Sequence, residues 1–216
     1  MYYKFESYDY SLHLRNTDSE GYQEYIPCVP GGDPHSTADF RNVISVVTEE
    51  KPLILPESTY FMFANCIYLE NIDVSDWDAS NVYTMVGMFY NCSSLKRIDL
   101  STWDVRKCEY FTSMFSSAGF EVINIMNWQF NENELFTVSH MFSGCNSLKV
   151  IFNDDNWLEK WGSTILAADG PFESCRKLPG WDYGRISLEF AKPISEGGYF
   201  STNPKAWKAY TIYMKV

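Results

Sequence analysis

A Met-Phe dipeptide that returns at an almost fixed interval constrains the fold of this chain more than any other feature. It stands at Met62, Met88, Met114 and Met141, each followed by Phe, with intervals of 26, 26 and 27 residues. A unit that recurs at a period of roughly 20–50 residues usually stacks on its own copies, because one copy cannot bury its apolar face alone. The chain is therefore predicted to be a repeat protein, with the repeated phenylalanines in its core.

The apolar spacing within one repeat predicts one short helix and then one short strand. Val82, Met85, Met88 and Phe89 fall at i, i+3, i+6 and i+7, which is typical of a helix with one apolar stripe. Residues 95–100, with the pattern L-x-x-I-x-L, predict the strand. Stacking would place the strands of successive repeats side by side.

The repeat divides the chain into three parts. Residues 58–182 hold four to five repeats, of which the last is degenerate. We expect residues 1–57 to form a β-rich N-terminal cap and residues 183–216 to form a C-terminal β-hairpin cap. The hairpin is predicted from two strand-like segments, 186–190 and 211–216, on either side of a Gly-Gly turn.

Two consecutive segments share one detailed pattern. Residues 66–89 read CIYLENIDVSDWDASNVYTMVGMF, and residues 92–115 repeat it with Lys107-Cys108 at a position that is usually Asn-Val. This pattern resembles the BspA-like leucine-rich-repeat family of bacterial surface proteins, and the resemblance covers residues 62–200. It implies an α/β repeat, a leucine-rich-repeat-like right-handed solenoid with one short helix and one short parallel strand per turn, closed by β-rich N- and C-terminal caps.

The charge of the chain excludes several classes of partner. The formal net charge is −11 and the isoelectric point is about 4.7, so phosphate backbones and anionic lipid surfaces would be repelled. We expect no nucleic-acid binding. No apolar span of roughly 18 residues predicts membrane insertion, and the acidic start of the chain does not resemble a signal peptide.

The cysteines do not predict a metal site. Cys66, Cys92, Cys145 and Cys175 occupy one repeat position and should stack as a ladder of small buried side chains. No C-x-x-C pair occurs, and the chain has three histidines, so a zinc site is not expected. Bridging between neighbouring cysteines depends on geometry and is left open.

One repeat position is occupied in turn by Asp73, Asp99 and Asn124, which would stack in a vertical series. This series has two interpretations. Stacked carboxylates could bind calcium, whereas Asp or Asn at a turn hydrogen-bonds to nearby backbone. We favour the second, because Asn124 breaks the charge series. No nucleophile motif stands out, so we expect no cofactor, no metal and no enzymatic activity.

The outer face of the predicted sheet is the candidate partner interface. It changes from polar to apolar along the stack, and an exposed apolar patch often marks an interface. Either the C-terminal cap folds over the apolar end, or a partner or second copy covers it. The candidate residues are Asn71, Asp73, Arg97, Asp99, Val122, Met126, Val150 and Phe152.

The expected function is recognition rather than catalysis. The family resemblance implies a non-enzymatic surface protein for adhesion, which presents a repeat surface to a protein or glycan partner. An alternative is a virion component of a phage, such as a decoration, fibre or host-contact protein, since similar repeats occur in phage proteins. A remote alternative is a glycan-acting hydrolase. We expect a location at the cell surface, outside the cell or in a virion; oligomerisation is left open.

Overall fold

A computed structural model describes residues 1–7, 11–21, 23–24, 40, 42–203 and 206. Within these ranges the chain forms mostly short strands. The elements, in chain order, are β1 (Tyr2–Glu6), β2 (Ser11–Arg15), β3 (Gln23–Glu24), β4 (Ser45–Thr48), β5 (Leu53–Ile54), β6 (Trp77–Asp78), β7 (Arg97–Asp99), β8 (Val122–Asn124), β9 (Phe136–Thr137), β10 (Val150–Phe152), α1 (Trp157–Trp161), β11 (Ile165–Ala167), the 3-10 helices Leu188–Phe190 and Ile194–Glu196, and β12 (Phe200–Ser201).

The strands form two four-stranded sheets and two pairs. The N-terminal sheet has the order β3-β1-β2-β4, and the second sheet has the order β12-β10-β8-β7. All strands of the second sheet are parallel; β7, β8 and β10 come from successive repeats, and β12 comes from the C-terminal flank. Ile98 of β7 lies beside Ile123 of β8, which lies beside Ile151 of β10. The remaining pairs are β5-β6 and β9-β11, both parallel.

The predicted α/β repeat, a leucine-rich-repeat-like right-handed solenoid with one helix per turn, is wrong. The molecule consists mainly of short strands in several small sheets, with very little helix. None of the four Met-Phe segments, all of which the structure describes, contains an α-helix. The five-residue helix α1 lies beyond them, and Asn156 caps its start by accepting a hydrogen bond from the Glu159 amide.

The Met-Phe segments are not helical because their amide groups bond in two directions. The Met88 amide donates to the Met85 carbonyl at 3.1 Å within the segment, but the Phe89 amide donates to the Met114 carbonyl of the next repeat at 2.9 Å. Phe63 and Phe115 make the same bond to their next repeats. An α-helix needs each amide to bond four residues back along its own chain, so these amides cannot belong to one.

Left-handed backbone at two positions in each repeat also excludes a helix. Gly87 has φ 60° and Asn91 has φ 55°, and L-residues in a right-handed helix do not adopt positive φ. A Cβ at position 87 would lie 2.8 Å from the Phe61 ring, so glycine also makes room there. Equivalent positive-φ residues are Phe61, Asn65, Ser113, Ser117, His140, Gly144, Gly170 and Ser174.

The repeated phenyl rings form one continuous stack through the core, and the prediction that they are core residues is confirmed. The centroids of Phe63, Phe89, Phe115, Phe142 and Phe172 are separated in turn by 5.6, 6.1, 5.5 and 5.7 Å. All five side chains are fully buried. Neighbouring rings are close to parallel, so each repeat covers the ring of the one before.

The predicted cysteine ladder binds backbone carbonyls. The thiols of Cys92, Cys145 and Cys175 donate at 2.9–3.0 Å to the carbonyls of Phe63, Phe115 and Phe142 respectively, and Cys66 donates in the same way to Phe40. These four and Cys108 are free and buried. Burial raises the pKa of the Cys92 and Cys145 thiols to about 12. The Cys92 and Cys145 thiols therefore stay protonated, and each links two repeats as a hydrogen-bond donor.

We expect these thiols to resist labelling until the chain unfolds. Because burial raises the pKa of the Cys92 and Cys145 thiols, the stability that these protonated thiols contribute is fully present below their unfolded pKa near 9. This stability is lost as the pH rises toward their folded pKa of about 12. Cys28, outside the described residues, is replaced by serine to remove its thiol. Reaction with an aromatic disulfide should then be slow at neutral pH and complete for five thiols in denaturant. Fast labelling of the folded variant would contradict this.

Both flanks of the repeats contain strands, but the C-terminal strand differs from the predicted ones. At the N-terminal end, β1 and β2 are antiparallel and β4 pairs with β2 in parallel. At the C-terminal end, residues 186–190 do not form the predicted strand, and Leu188–Phe190 is a 3-10 helix. The strand predicted for residues 211–216 lies outside the described residues. β12 joins the parallel sheet beside β10.

Candidate functional site

The sheet face predicted as a partner interface is partly closed within the chain itself. Arg97, Val122 and Val150 lie side by side across β7, β8 and β10. The side chains of Val122 and Phe152 have no exposed surface. A partner therefore cannot contact these two residues without a rearrangement, so half of the apolar patch inferred from the sequence is closed off.

The remaining candidates on that face are accessible to different degrees. Asn71 and Asp73 are exposed, whereas Arg97 and Asp99 are half-buried. Met126 and Val150 are also half-buried.

The Asp73 and Asp99 carboxylates of the vertical series stabilise turns by hydrogen bonds. Asp73 accepts hydrogen bonds from the amide and hydroxyl of Ser75 at 3.1 and 2.7 Å, and these bonds lower the pKa of Asp73. Asp99 accepts the same pair from Ser101, and Asn124 donates to Asp99 at 2.9 Å. The turn interpretation is confirmed. Among the described residues, no group of three or more His, Cys, Asp and Glu side chains is placed to hold a metal ion.

Another side of the repeats carries two adjoining clefts, which we call the tyrosine groove. Their volumes are about 570 and 380 Å³, and they share Arg106, Lys107 and Asn131. The first is also lined by Ser80, Asp104, Gln129, Phe130, Glu132 and Asn133. The second is also lined by Glu57, Asn81, Tyr83, Glu109 and Glu134. None of the eight residues predicted from the sequence lines this groove.

Repeated turns set the position of the groove. The amide of Ser80 donates to the Asp78 carboxylate at 2.9 Å, and the amide of Arg106 donates to that of Asp104 at 3.1 Å. In the next repeat the Asn133 amide donates to the side chain of Asn131 at 2.9 Å. A side-chain acceptor two residues before the amide is a favoured turn geometry for Asp and Asn. Three successive repeats thereby contribute polar side chains to the groove.

The cations of the groove are exposed to solvent, and each bonds to a polar side chain nearby. Arg106 makes a forked ion pair with Asp104 at 2.9 and 2.6 Å, and its hydrogen bonds lower the pKa of the Asp104 carboxyl. The Lys107 ammonium donates to the Asn81 side chain at 2.6 Å. Such held groups keep a fixed direction, which favours selective hydrogen bonding to a ligand.

Two tyrosines form the aromatic part of this region. The rings of Tyr83 and Tyr110 meet edge to face with centroids 5.2 Å apart, and the Tyr83 hydroxyl donates to that of Tyr110 at 3.4 Å. Tyr83 is 45% exposed and Tyr110 is 36% exposed. The hydrogen bond with Tyr110 raises the pKa of Tyr83, so this phenol is neutral at physiological pH. The pair offers apolar ring surface and hydroxyl groups together.

Two places where the sequence departs from the repeat pattern could have indicated the groove. Lys107-Cys108 replaces the usual Asn-Val, and two extra residues precede Leu135 in the third repeat. Lys107 lines both clefts, and the segment with the extra residues supplies Asn131 to Glu134. Residues that merely build the stack follow the repeat, so a departure from it is a signal of a local role.

The comparisons with known proteins correct the family resemblance. Residues 57–161, just under half of the chain, match the model of a family described as Mycoplasma protein of unknown function, DUF285. The inferred membership of the BspA-like leucine-rich-repeat family is wrong, because the match is to this family and not to a leucine-rich-repeat one. No curated protein and no solved structure matches significantly.

In the part of the chain that the structure describes, none of the helices combines the length and the apolar character needed to cross a membrane.

Proposed function

We propose that this chain is a non-enzymatic recognition protein that binds a glycan through the tyrosine groove. The observation that carries the proposal is that three repeats contribute hydrogen-bonding side chains to two adjoining clefts beside an exposed tyrosine pair. The proposed location is the cell surface, the medium or a virion. The family match assigns no activity and leaves the proposal to rest on the groove.

The chemistry of the lining fits a sugar better than an apolar protein anchor. Sugar hydroxyls both donate and accept hydrogen bonds, and the groove offers both roles: the Lys107 ammonium donates, the Glu109 carboxylate accepts, and the Asn131 amide does both. Protein hot spots instead need a well-packed, desolvated pocket for a large side chain. Phe130, the apolar residue of the larger cleft, is itself buried.

The ion pair of the groove supports binding without catalysis. Glycoside hydrolysis needs a carboxyl group with a raised pKa as the proton donor. Arg106 lowers the pKa of the Asp104 carboxyl, so Asp104 is ionised at neutral pH and is a poor acid. Its fixed negative charge instead holds Arg106 in place at the groove wall.

Binding is tested on a glycan array with the purified chain and two tyrosine variants. Tyr83→Ala removes half of the aromatic pair and is expected to weaken binding by about tenfold or more, since one well-placed contact is worth at least ~1.4 kcal/mol. Tyr183→Ala is the matched control, because Tyr183 is 80% exposed and lies outside the groove. Affinity for the selected glycan is measured by calorimetry.

Three results would contradict the proposal. The first is the absence of any bound glycan, and the second is an equal loss of affinity in Tyr83→Ala and Tyr183→Ala. The third is release of shorter sugars from the bound glycan during incubation, which would assign an enzyme. Fractionation of the source cells and of any virus particles tests the proposed location separately.

A further inference from the structure

The tyrosine groove continues into a third cleft, and we call the three clefts together the extended groove. The third cleft has a volume of about 360 Å³ and shares Asp104, Arg106 and Gln129 with the larger cleft of the tyrosine groove. Arg106 also lines the smaller cleft, so it contacts all three. Each cleft is large enough to hold a small ligand on its own. Their shared lining makes them one elongated site.

The three clefts follow two neighbouring repeats in the order of the sequence. Along one repeat, residues 101–106 line the third cleft, Lys107 lines the larger and smaller clefts, and Glu109 lines the smaller cleft. Along the next repeat, the lining begins with Asn127 in the third cleft and reaches Glu134 in the smaller cleft. Because both repeats pass the clefts in the same order, an elongated ligand can lie between them, parallel to the chain.

The two ends of the extended groove differ in chemistry. At the smaller cleft, Tyr83 and its partner Tyr110 expose ring surface. At the third cleft, the ring of Trp103 is almost fully buried. The other uncharged polar side chains there carry hydroxyl and amide groups, and they belong to Ser101, Thr102, Asn127 and Gln129. The apolar face of a sugar can therefore pack at the tyrosine end, while sugar hydroxyls bond at the polar end.

The polar end has hydrogen-bonding capacity available to a ligand. Thr102 and Asn127 are both exposed. The Thr102 hydroxyl donates to the Ser75 carbonyl at 3.5 Å, and the Asn127 amide donates to the Ser101 carbonyl at 3.5 Å. Both bonds are long, and they use the donors of these side chains. The oxygen atoms of Thr102 and Asn127 can still accept hydrogen bonds from sugar hydroxyls.

The charges of the extended groove favour an uncharged chain over an acidic one. Arg106 is neutralised by its ion pair with Asp104. The remaining cation, Lys107, is outnumbered by four glutamates of the lining: Glu57, Glu109, Glu132 and Glu134. The net charge of −11 adds to the repulsion of a polyanion. An uncharged glycan avoids this repulsion and still uses the hydroxyl, amide and ring groups.

We propose that the extended groove binds an uncharged linear oligosaccharide along its length. Sugar units pack on the tyrosines at one end and bond to Thr102 and Asn127 at the other. A terminal sugar on a branched glycan would occupy a single cleft, whereas a chain of several units contacts all three. This inference rests on the proposed glycan binding by the tyrosine groove and adds the class of glycan.

The test is a calorimetric titration of the whole chain with neutral oligosaccharides of two, four and six units from the cellulose, chitin and xylan series. In at least one series we expect affinity to rise about tenfold or more from two to six units, because the added units reach the polar end. A galacturonic acid hexamer should bind at least about tenfold more weakly than the best neutral hexamer. No gain with length in any series would overturn the proposal, and so would an acidic hexamer that binds as tightly as the neutral one.

Variants at the two ends locate the chain. Thr102→Ala removes a hydroxyl at the polar end and should weaken binding of the six-unit chain by about fivefold, with no effect on the two-unit chain. Thr102→Ser keeps the hydroxyl and should keep the affinity, whereas Tyr83→Ala should weaken both chain lengths. An equal effect of Thr102→Ala on both lengths, or none on either, would overturn the assignment.

The two proposals fail in different ways. A glycan-array hit that depends on Tyr83, without a gain in affinity with chain length in any series, would reject the extended chain and leave the tyrosine groove as the site. Absence of binding on the array and in all three series would reject both.

Discussion

Replacing Phe115 by alanine is expected to lower the free energy of unfolding by about 3–5 kcal/mol, the usual cost of emptying a fully buried phenylalanine site. The Phe115 ring stacks on Phe89 at 6.1 Å and on Phe142 at 5.5 Å. It also meets the edge of Phe120 at 5.7 Å. The cavity would open in the middle of the stack, where backbone bonds to the neighbouring repeats hinder collapse around it.

Urea unfolding followed by tryptophan fluorescence measures this loss. Leu166→Ala serves as the control, since Leu166 is 63% exposed and its truncation should change stability by less than about 0.5 kcal/mol. A Phe115→Leu variant should fall between the two, because it keeps much of the apolar volume. If Phe115→Ala unfolded at the same urea concentration as Leu166→Ala, the stack would not be the stabilising feature that its geometry indicates.

The buried residues of the repeats were predictable from sequence because the buried positions recur with the same period as the sequence repeat. Met85, Met88 and Phe89 were predicted to share one apolar stripe, and all three are fully buried. The side-chain spacing therefore reports correctly which residues face the core. It does not report which backbone path brings them there.

The backbone path was not predictable because two structures share one spacing. Successive turns also return about every third or fourth side chain to the core, and the turns here end at left-handed residues such as Gly87 and Asn91. Spacing alone cannot distinguish these turns from a helix. The Gly and Asn at these positions were the available sign, since both tolerate positive φ better than other residues.

The candidate sites differ in how far the sequence could predict them. Arg97 and Asn71 were predicted on the outer sheet face, and the structure brings both to one surface cleft. The same alternation argument placed Phe152 on the outer sheet face, to be covered by the C-terminal cap or by a partner, and the folded chain itself covers it. Alternation identifies a face of a strand, whereas exposure depends on what packs over that face. The tyrosine groove depends on contacts between three repeats, which a pattern within one repeat does not contain.

Gly119 lies where two repeats approach each other closely, and its replacement by alanine is expected to destabilise the chain by about 3 kcal/mol or more. A Cβ at this position would lie 1.9 Å from the carbonyl oxygen of Ser93 and 2.6 Å from its carbonyl carbon. Both atoms belong to the backbone, so no side-chain rotation relieves the clash. The Gly119 amide donates to the Cys92 carbonyl at 3.0 Å, and separating the repeats would break that bond as well.

Thermal and urea unfolding of Gly119→Ala should show this loss, with Gly184→Ala as the matched control. The nearest atom to a Cβ at Gly184 is a carboxylate oxygen of Asp182 at 3.3 Å, and a flexible side chain can move away. We therefore expect Gly184→Ala to change stability by no more than about 1 kcal/mol in either direction. Equal stability of the two variants would mean that the repeats can separate at Ser93 without cost, so the inter-repeat hydrogen bonds there would not hold them in register. A selective loss in Gly119→Ala would show that close backbone contact between repeats, and not side-chain packing alone, maintains the fold.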